Sequence, residues 1–407
     1  MSTVGPNLVA RVHPEAPAYY LVGAADRAMA LLDETSAVGF EAVLELSGVL
    51  DLTALEMAWT RLVSLHPILT CIRNRDRWQP TETPPLGDDV PQLTHDRPPA
   101  ALRIDHRPEV VRVTLTCNHV AFDGTASRLL LADLREEYEA VLYDRPERPS
   151  DRTPRTLEAW VGTTDWRASA AASVRSATVW WQTPPSTHVD PGPGVEERAD
   201  DCDLLELGPL LEYFTEARRR YRWSVDAVLV GILEKAWARV FGEPRADSTW
   251  LVARDLRPAL GIGGGIGNLS VAAGVSFPNP DATLTETIDR AEAALATQAD
   301  DLVTAGKAMG RWNSLTDVAF AQMVRRSMRL RAFRSLSNVG QLGASLDNWG
   351  DATLEKVWFV GPLADPPYNS FIATGHGAST LVTVRTSPTW LTKEHARALE
   401  RAALELV

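Results

Sequence analysis

Apolar and polar positions along this chain follow two rhythms, and each change of rhythm marks an element. Residues 40–50 (FEAVLELSGVL) alternate with the two-residue period of a half-buried strand. At Asp51 the period lengthens. The run LTALEMAWTRLVSLH has apolar residues at helical spacing, Asp51 is suited to capping it, and Pro67 ends it. Residues 76–108 are rich in Pro, Asp and Thr and read as loops with short strands. A further strand follows in EVVRVTLTCNHV, where Val111, Val113, Leu115 and Cys117 share one face. After Gly124 the helical period returns, with Leu129, Leu130, Leu134 and Tyr138 as its apolar stripe.

The second half shows the same alternation. An apolar helix is expected over 224–242, then a strand in STWLVARDL, then the glycine-dense GIGGGIGN at 261–268. Two helical stretches, LTETIDRAEAALATQADDL and FAQMVRRSMRLRAF, precede strands in KVWFVGP and SFIATGHGASTLVTVRT, and a last helix begins near Thr392. Pro-rich stretches at 144–156 and 184–201 interrupt the middle. The pattern predicts a mixed α/β (α+β) protein. Its expected units are an N-terminal subdomain at 1–165, a connecting segment at 166–202 and a C-terminal subdomain at 203–407.

With 407 residues, 45% of them hydrophobic, the chain can bury a sizeable core. Lys+Arg is 41 against 53 Asp+Glu, a net charge of −12, so there is no basic footprint for nucleic acid. Cys71, Cys117 and Cys202 are far apart and odd in number, which argues against a disulfide framework and for a reducing compartment. The first residues, MSTVGPNLVARVHPEA, lack an apolar h-region, and no apolar run approaches a membrane span. A cytoplasmic location is therefore expected. No His pairs with another ligand at zinc spacing, so no metal is expected. GIGGGIGN satisfies neither G-x-G-x-x-G nor a P-loop and reads as a flexible turn, and His376 reads as an incidental residue at a hairpin tip.

One constellation carries chemistry: Asn118-His119-Val120-Ala121-Phe122-Asp123-Gly124, a histidine at a strand end with an acid four residues on and a glycine where a helix starts. Its bland reading is a capped helix start beside a surface histidine. The motif resembles the H-H-x-x-x-D-G signature of the thioester-dependent acyltransferase superfamily. That superfamily includes nonribosomal peptide condensation domains, plant BAHD acyltransferases, polyketide-associated mycobacterial acyltransferases and chloramphenicol acetyltransferase. Arg254-Asp255-Leu256-Arg257-Pro258 with Gly267-Asn268 resembles the family's "DLRP … GN" segment, and Ser337-Asn338-Val339-Gly340 its S-N-x-G segment. Asn118 stands where the double-His form has its first histidine.

The resemblance implies two chloramphenicol-acetyltransferase-like subdomains in a V-shaped pair with a tunnel between them and His119 at its middle. His119 would be the general base, an imidazole suited to that task near neutral pH. Asp123 would form a buried pair with Arg257, with Arg254 in reserve. Gly124 would permit the turn, and its N–H at a helix start would serve as an oxyanion donor. Asn118, Ser337 and Asn338 would line the tunnel or the oxyanion site. Cys117, on the strand face of His119, has nothing nearby to activate it as a nucleophile. No tightly bound cofactor is implied; an acyl-CoA, or a carrier protein acting in trans with a phosphopantetheine thioester, would be co-substrate to a small acceptor. Arg325 and Arg329, helical neighbours within RRSMRLRAFR, are expected to bind the donor at a tunnel mouth. The function expected is ester formation in specialised metabolism. Amide formation by a free-standing condensation enzyme, or a silent recruitment module, are the alternatives.

Overall fold

The computed structural model describes residues 22–33, 39–74, 77–81, 84, 86–87, 97–151, 153, 155–156, 159, 203–208, 210–242, 248–309, 334–362, 369–385 and 393–407. In the first half these form α1 (Ala24–Asp33), β1 (Gly39–Val49), α2 (Leu52–Leu65), β2 (Cys71–Asn74), β3 (Arg77–Pro80), β4 (Leu86–Gly87), β5 (Ala100–His106), β6 (Val111–Asn118) and α3 (Gly124–Leu142). The second half contributes β7 (Asp203–Glu206), α4 (Leu210–Tyr221), α5 (Val225–Phe241), β8 (Ser248–Asp255), the single turn α6 (Arg257–Leu260), β9 (Ser270–Phe277) and α7 (Leu284–Met309). It ends with β10 (Arg334–Leu342), β11 (Asn348–Trp349), β12 (Asp351–Val360), β13 (Asn369–His376), β14 (Ser379–Arg385) and α8 (Lys393–Leu404). The expected connecting segment 166–202, the helical stretch FAQMVRRSMRLRAF, and with it Arg325 and Arg329, lie outside the described residues.

Two six-stranded sheets organise the molecule, ordered β11-β12-β1-β6-β5-β4 and β7-β14-β13-β10-β8-β9. Alternation along β1 places Phe40, Ala42, Leu44 and Leu46 in one core with Trp59 and Leu62 of α2 and Leu130 and Leu134 of α3. The Tyr138 hydroxyl accepts from the Asp51 N–H at 3.0 Å, tying α3 to the start of α2, whose cap is the Asp51 carboxylate on Ala54 N–H at 2.9 Å. The second core surrounds α5, buried on nearly every side from Ala227 to Ala236, and includes Trp250, Phe371 and Leu399.

One strand does not follow chain order. After β10 the chain leaves the second sheet, and β12 pairs antiparallel with β1 in the first, Leu44 facing Val357, before β13 returns to run parallel to β10. KVWFVGP reads as a strand in the sequence, but both faces of β12 meet apolar surroundings, so its pattern says nothing about which sheet receives it. Val43 of β1, Trp358 and Val360 of β12, and Leu381 of β14 form a third small core that joins the halves.

Candidate functional site

Between the end of β6 and the start of α3 the chain makes a tight turn that carries the candidate chemistry. Asn118 builds it. Its Oδ1 accepts from Val120 N–H at 2.8 Å, and its carbonyl accepts from Ala121 N–H at 3.0 Å and Phe122 N–H at 3.3 Å. Asn118 is buried, and its side chain closes the turn. His119 is half-buried at the turn, with its ring edge-on to Phe40 at 5.3 Å. Its Nδ1 is shut off from solvent and has no hydrogen-bond partner among the described residues.

The carbonyls around His119 are held from elsewhere in the chain. Asn268 Nδ2 donates to His119 O at 2.8 Å and to Val120 O at 3.0 Å, and Arg155 Nη2 donates to Ala121 O at 2.7 Å. Three consecutive peptide groups are thereby fixed by side chains far away in sequence. A buried carbonyl needs such a partner, and here the partners also orient the residue that would do chemistry.

Asp123 has two roles in one carboxylate. As N-cap of α3 its Oδ1 accepts from Ala126 N–H at 2.8 Å. It is also paired with Arg257: Nη2 to Oδ1 at 3.1 Å and Nη1 to Oδ2 at 3.0 Å, with Leu269 N–H donating to Oδ2 at 2.7 Å. The residues are 1% and 2% exposed, a buried bidentate pair across the two halves. Arg257 has further partners in Asp255 Oδ1 at 2.9 Å, Gly265 O at 2.8 Å and Gly267 O at 3.0 Å. Burial works against its charge, but Asp123 and Asp255 outweigh burial and hold the guanidinium above its ordinary value. Arg254, the reserve, instead reaches Asp226 Oδ2 at 2.7 Å.

The GIGGGIGN stretch is therefore more than a flexible turn. Its carbonyls receive Arg257, its Ile266 carbonyl receives Arg155 Nε at 3.1 Å, and Asn268 reaches the motif. A Cβ on Gly267 would lie 2.1 Å from Arg155 O, so only glycine allows this approach.

Arg155 and Asp26 carry no mark in the sequence. Arg155 sits in DRPERPSDRTPRT, which reads as a linker full of charges, and nothing in the pattern separates it from its neighbours. It is buried over Trp78 at 5.1 Å, and burial lowers its pKa against the opposing field of Asp26. Burial likewise pushes the Asp26 carboxyl up, although Arg155 opposes it and Gly23 N–H, Trp78 Nε1 and Asn268 Nδ2 all donate to it.

Gly124 begins α3, and its φ is not in the left-handed region. A Cβ there would meet Val339 at 3.7 Å and Ser337 Oγ at 3.8 Å, which is ordinary contact. The turn does not require glycine; a side chain here would instead occupy space beside Ser337. Asn338 is engaged at both ends, Nδ2 donating to Asp226 Oδ1 at 2.7 Å and Oδ1 accepting from Gly340 N–H at 2.9 Å. Cys117 is buried, and burial pushes its thiol well up, as it pushes Cys71 up to about 11. His376 is at the hairpin end, yet its Nε2 lies 2.8 Å from Asp347 Oδ1, so it is not incidental. Among the described residues no cluster of three His, Cys, Asp or Glu could hold a metal, and no helix is long and apolar enough to cross a membrane.

No family model and no curated protein sequence matches this chain. Solved structures do. Polyketide synthase associated protein 5 from Mycobacterium tuberculosis superposes with TM-score 0.72 at 16% identity, over 95% of this chain and 97% of its own. Trichothecene 15-O-acetyltransferase from Fusarium sporotrichioides gives TM-score 0.71 at 11% identity, over 97% and 98%. The starter condensation domain of rhizomide synthetase, solved with C8-CoA and Leu-SNAC, gives 0.67 at 14% identity, over 95% and 93%. The chain thus has the chloramphenicol-acetyltransferase-like fold of condensation domains and these acyltransferases.

Proposed function

We propose that this protein is an acyltransferase of specialised metabolism, moving an acyl group from a thioester to an alcohol. The observation that carries the reading is the hold on His119. A half-buried imidazole closes off its Nδ1 and sits in a turn whose carbonyls are bound by Asn268 and Arg155. That arrangement suits a base that must be aimed. The shared fold of an acetyltransferase and a condensation domain adds support.

In this mechanism Nε2 of His119 takes the proton of the acceptor hydroxyl as its oxygen attacks the thioester carbonyl. Gly124 N–H, first in α3, faces the developing oxyanion, where the positive end of the helix adds stabilisation. As the carbon–oxygen bond stays and the carbon–sulfur bond breaks, the imidazolium returns its proton to the thiolate. No covalent enzyme intermediate is needed. Donor and acceptor approach from opposite ends of a tunnel between the two sheets, with Ser337 beside it. The donor is an acyl-CoA or an acylated carrier protein, and the setting is the cytoplasm. Amine acceptors would follow the same steps, which keeps amide formation as the second reading; the condensation-domain neighbour solved with Leu-SNAC supports including them.

Mass spectrometry of the protein incubated with acetyl-, malonyl- and longer acyl-thioesters and candidate alcohols and amines tests the proposal. Acyl transfer is expected with wild type, and His119→Ala should lower the rate about 10²–10⁴-fold without loss of fold. A variant retaining more than about a tenth of the rate contradicts base catalysis by His119.

A further inference from the structure

In a protein of net charge −12, one surface runs against the balance. Helix α4 ends in Arg218, Arg219 and Arg220, and the chain continues through Tyr221 and Arg222; all five are exposed. Only Arg219 pairs with a described carboxylate, Glu216 at 2.9 Å. The acids nearby on α7 are engaged elsewhere: Asp289 accepts from the Trp223 indole at 2.7 Å, and Glu292 accepts from Ser224 N–H and Oγ at 2.7 and 2.6 Å. Like charges four apart at a helix end repel, as Arg218 and Arg222 must.

Arg222 also bears a backbone cost. Its φ is 61°, one of two positive values at non-glycine positions among the described residues. It follows the last helical residue, where the left-handed conformation usually selects glycine, and its N–H closes the helix on Arg218 O at 3.1 Å. Glycine there would relieve both strain and repulsion. An arginine kept against both points to a use for its charge. Tyr221 stacks on Trp223 at 4.3 Å with Arg220 over its ring at 5.2 Å, which fixes the presentation of the patch.

We infer that Arg218, Arg220 and Arg222 form the docking surface for an acidic protein, which on the function proposed above is the carrier bearing the thioester. The arginines stand exposed at a helix end, so they do not enclose a small anion. Tyr221 is half exposed but has Trp223 stacked on its ring and Arg220 over it, which leaves no free stacking platform for a nucleobase, and a single aromatic edge is too little apolar surface for a bilayer. A carboxylate-rich protein face is what fits. The position also fits. Asp226 is four residues past Arg222, at most about 14 Å along the chain. It holds Asn338 at 2.7 Å, and the neighbouring Ser337 lies beside Gly124. A protein bound at the arginines sits against the element that flanks the turn of His119.

The test measures binding and turnover separately. Fluorescence anisotropy with a labelled, phosphopantetheinylated acyl carrier protein is read for wild type, Arg218→Glu/Arg220→Glu/Arg222→Glu and Arg222→Gly, at about 50 and 300 mM salt. The triple variant should weaken binding tenfold or more at low salt, and the gap should shrink at high salt. Arg222→Gly should melt higher than wild type and yet bind the carrier several-fold more weakly. Turnover of an acyl-N-acetylcysteamine thioester should be equal in wild type and triple variant, so a defect confined to the carrier-bound donor belongs to docking. Absence of acyl transfer from every donor, with the binding difference intact, would sink the proposed function and leave the surface standing. Equal binding by wild type and triple variant overturns the inference. So does tighter binding of a single-stranded oligonucleotide or of phosphatidylglycerol vesicles than of the carrier.

Discussion

Substituting Asp123 by Asn changes one atom and removes one charge, and the donors around the carboxylate determine the cost. Each oxygen of Asp123 accepts from two of them: Oδ1 from Ala126 N–H and Arg257 Nη2, Oδ2 from Arg257 Nη1 and Leu269 N–H. Whichever way an Asn amide is turned, its NH₂ faces two donors. The Arg257 guanidinium, 2% exposed, also loses its main counter-charge. Breaking one partner of a buried pair costs about 3–5 kcal/mol. Asp255, at 2.9 Å and only partly buried, keeps some compensation in place and favours the lower end, about 3 kcal/mol. For a protein of 407 residues that is a fall in Tm of about 3–4 °C. His119→Ala removes a half-buried ring whose Nδ1 lacks a partner among the described residues, so its stability loss should stay within about 1 kcal/mol. Thermal melts by circular dichroism at pH 7 compare the two. Asp123→Asn melting within about 2 °C of wild type, or no lower than His119→Ala, would refute the account of the pair.

Three further outcomes are expected. Gly267→Ala, with its Cβ driven to 2.1 Å from Arg155 O, a backbone atom that no side-chain rotation can move aside, should cost more than about 3 kcal/mol; a melt close to wild type would contradict the packing. Gly124→Ala should leave the Tm unchanged or raise it, since the new methyl makes ordinary contacts at a helix start, while slowing acyl transfer by filling space beside Ser337; unchanged kcat and KM would show that substrate does not use that space. Burial disfavours the Asp133 carboxylate, but the bond from His66 and the charge of Arg148 outweigh it and hold its pKa below the ordinary 3.8, so its ionised form contributes stability above that value and the contribution is lost as pH falls through the depressed one. Tm measured from about pH 5 to 3 should therefore fall more steeply for wild type than for Asp133→Asn, and parallel curves would discount the cluster.

Much of the local structure was legible because it rests on local rules. Asp51 and Asp123 cap helices because a short carboxylate before an apolar periodic run meets the free N–H groups, and the alternation of 40–50 and 111–118 needed no knowledge of partners. The ion pair of Asp123 with Arg257 came only through the family resemblance, since 134 residues separate the two and spacing does not encode such a meeting. What stayed hidden is long-range. Asp26 and Arg155 look like any surface charges until the fold removes water from them. Gly124 shows the same limit in reverse. A glycine before a helix suggests a conformational need, but the space beside Ser337 belongs to another strand, β10, that sequence cannot bring alongside.

The passage of β12 into the first sheet decides whether the halves have separate lives. Between β11 and β1 it is an interior strand, hydrogen-bonded from Asp351 to Val360 along nearly all of β1. A fragment consisting of the first half alone would end its sheet at β1, leaving a long row of unpaired N–H and C=O groups flanked by Val43 on one side and Leu44 on the other. Such an edge invites pairing with any other chain. Although each half has its own core, the first is unfinished until residues from near the end of the chain arrive. During synthesis it must therefore wait, edge open, for more than two hundred further residues to be made.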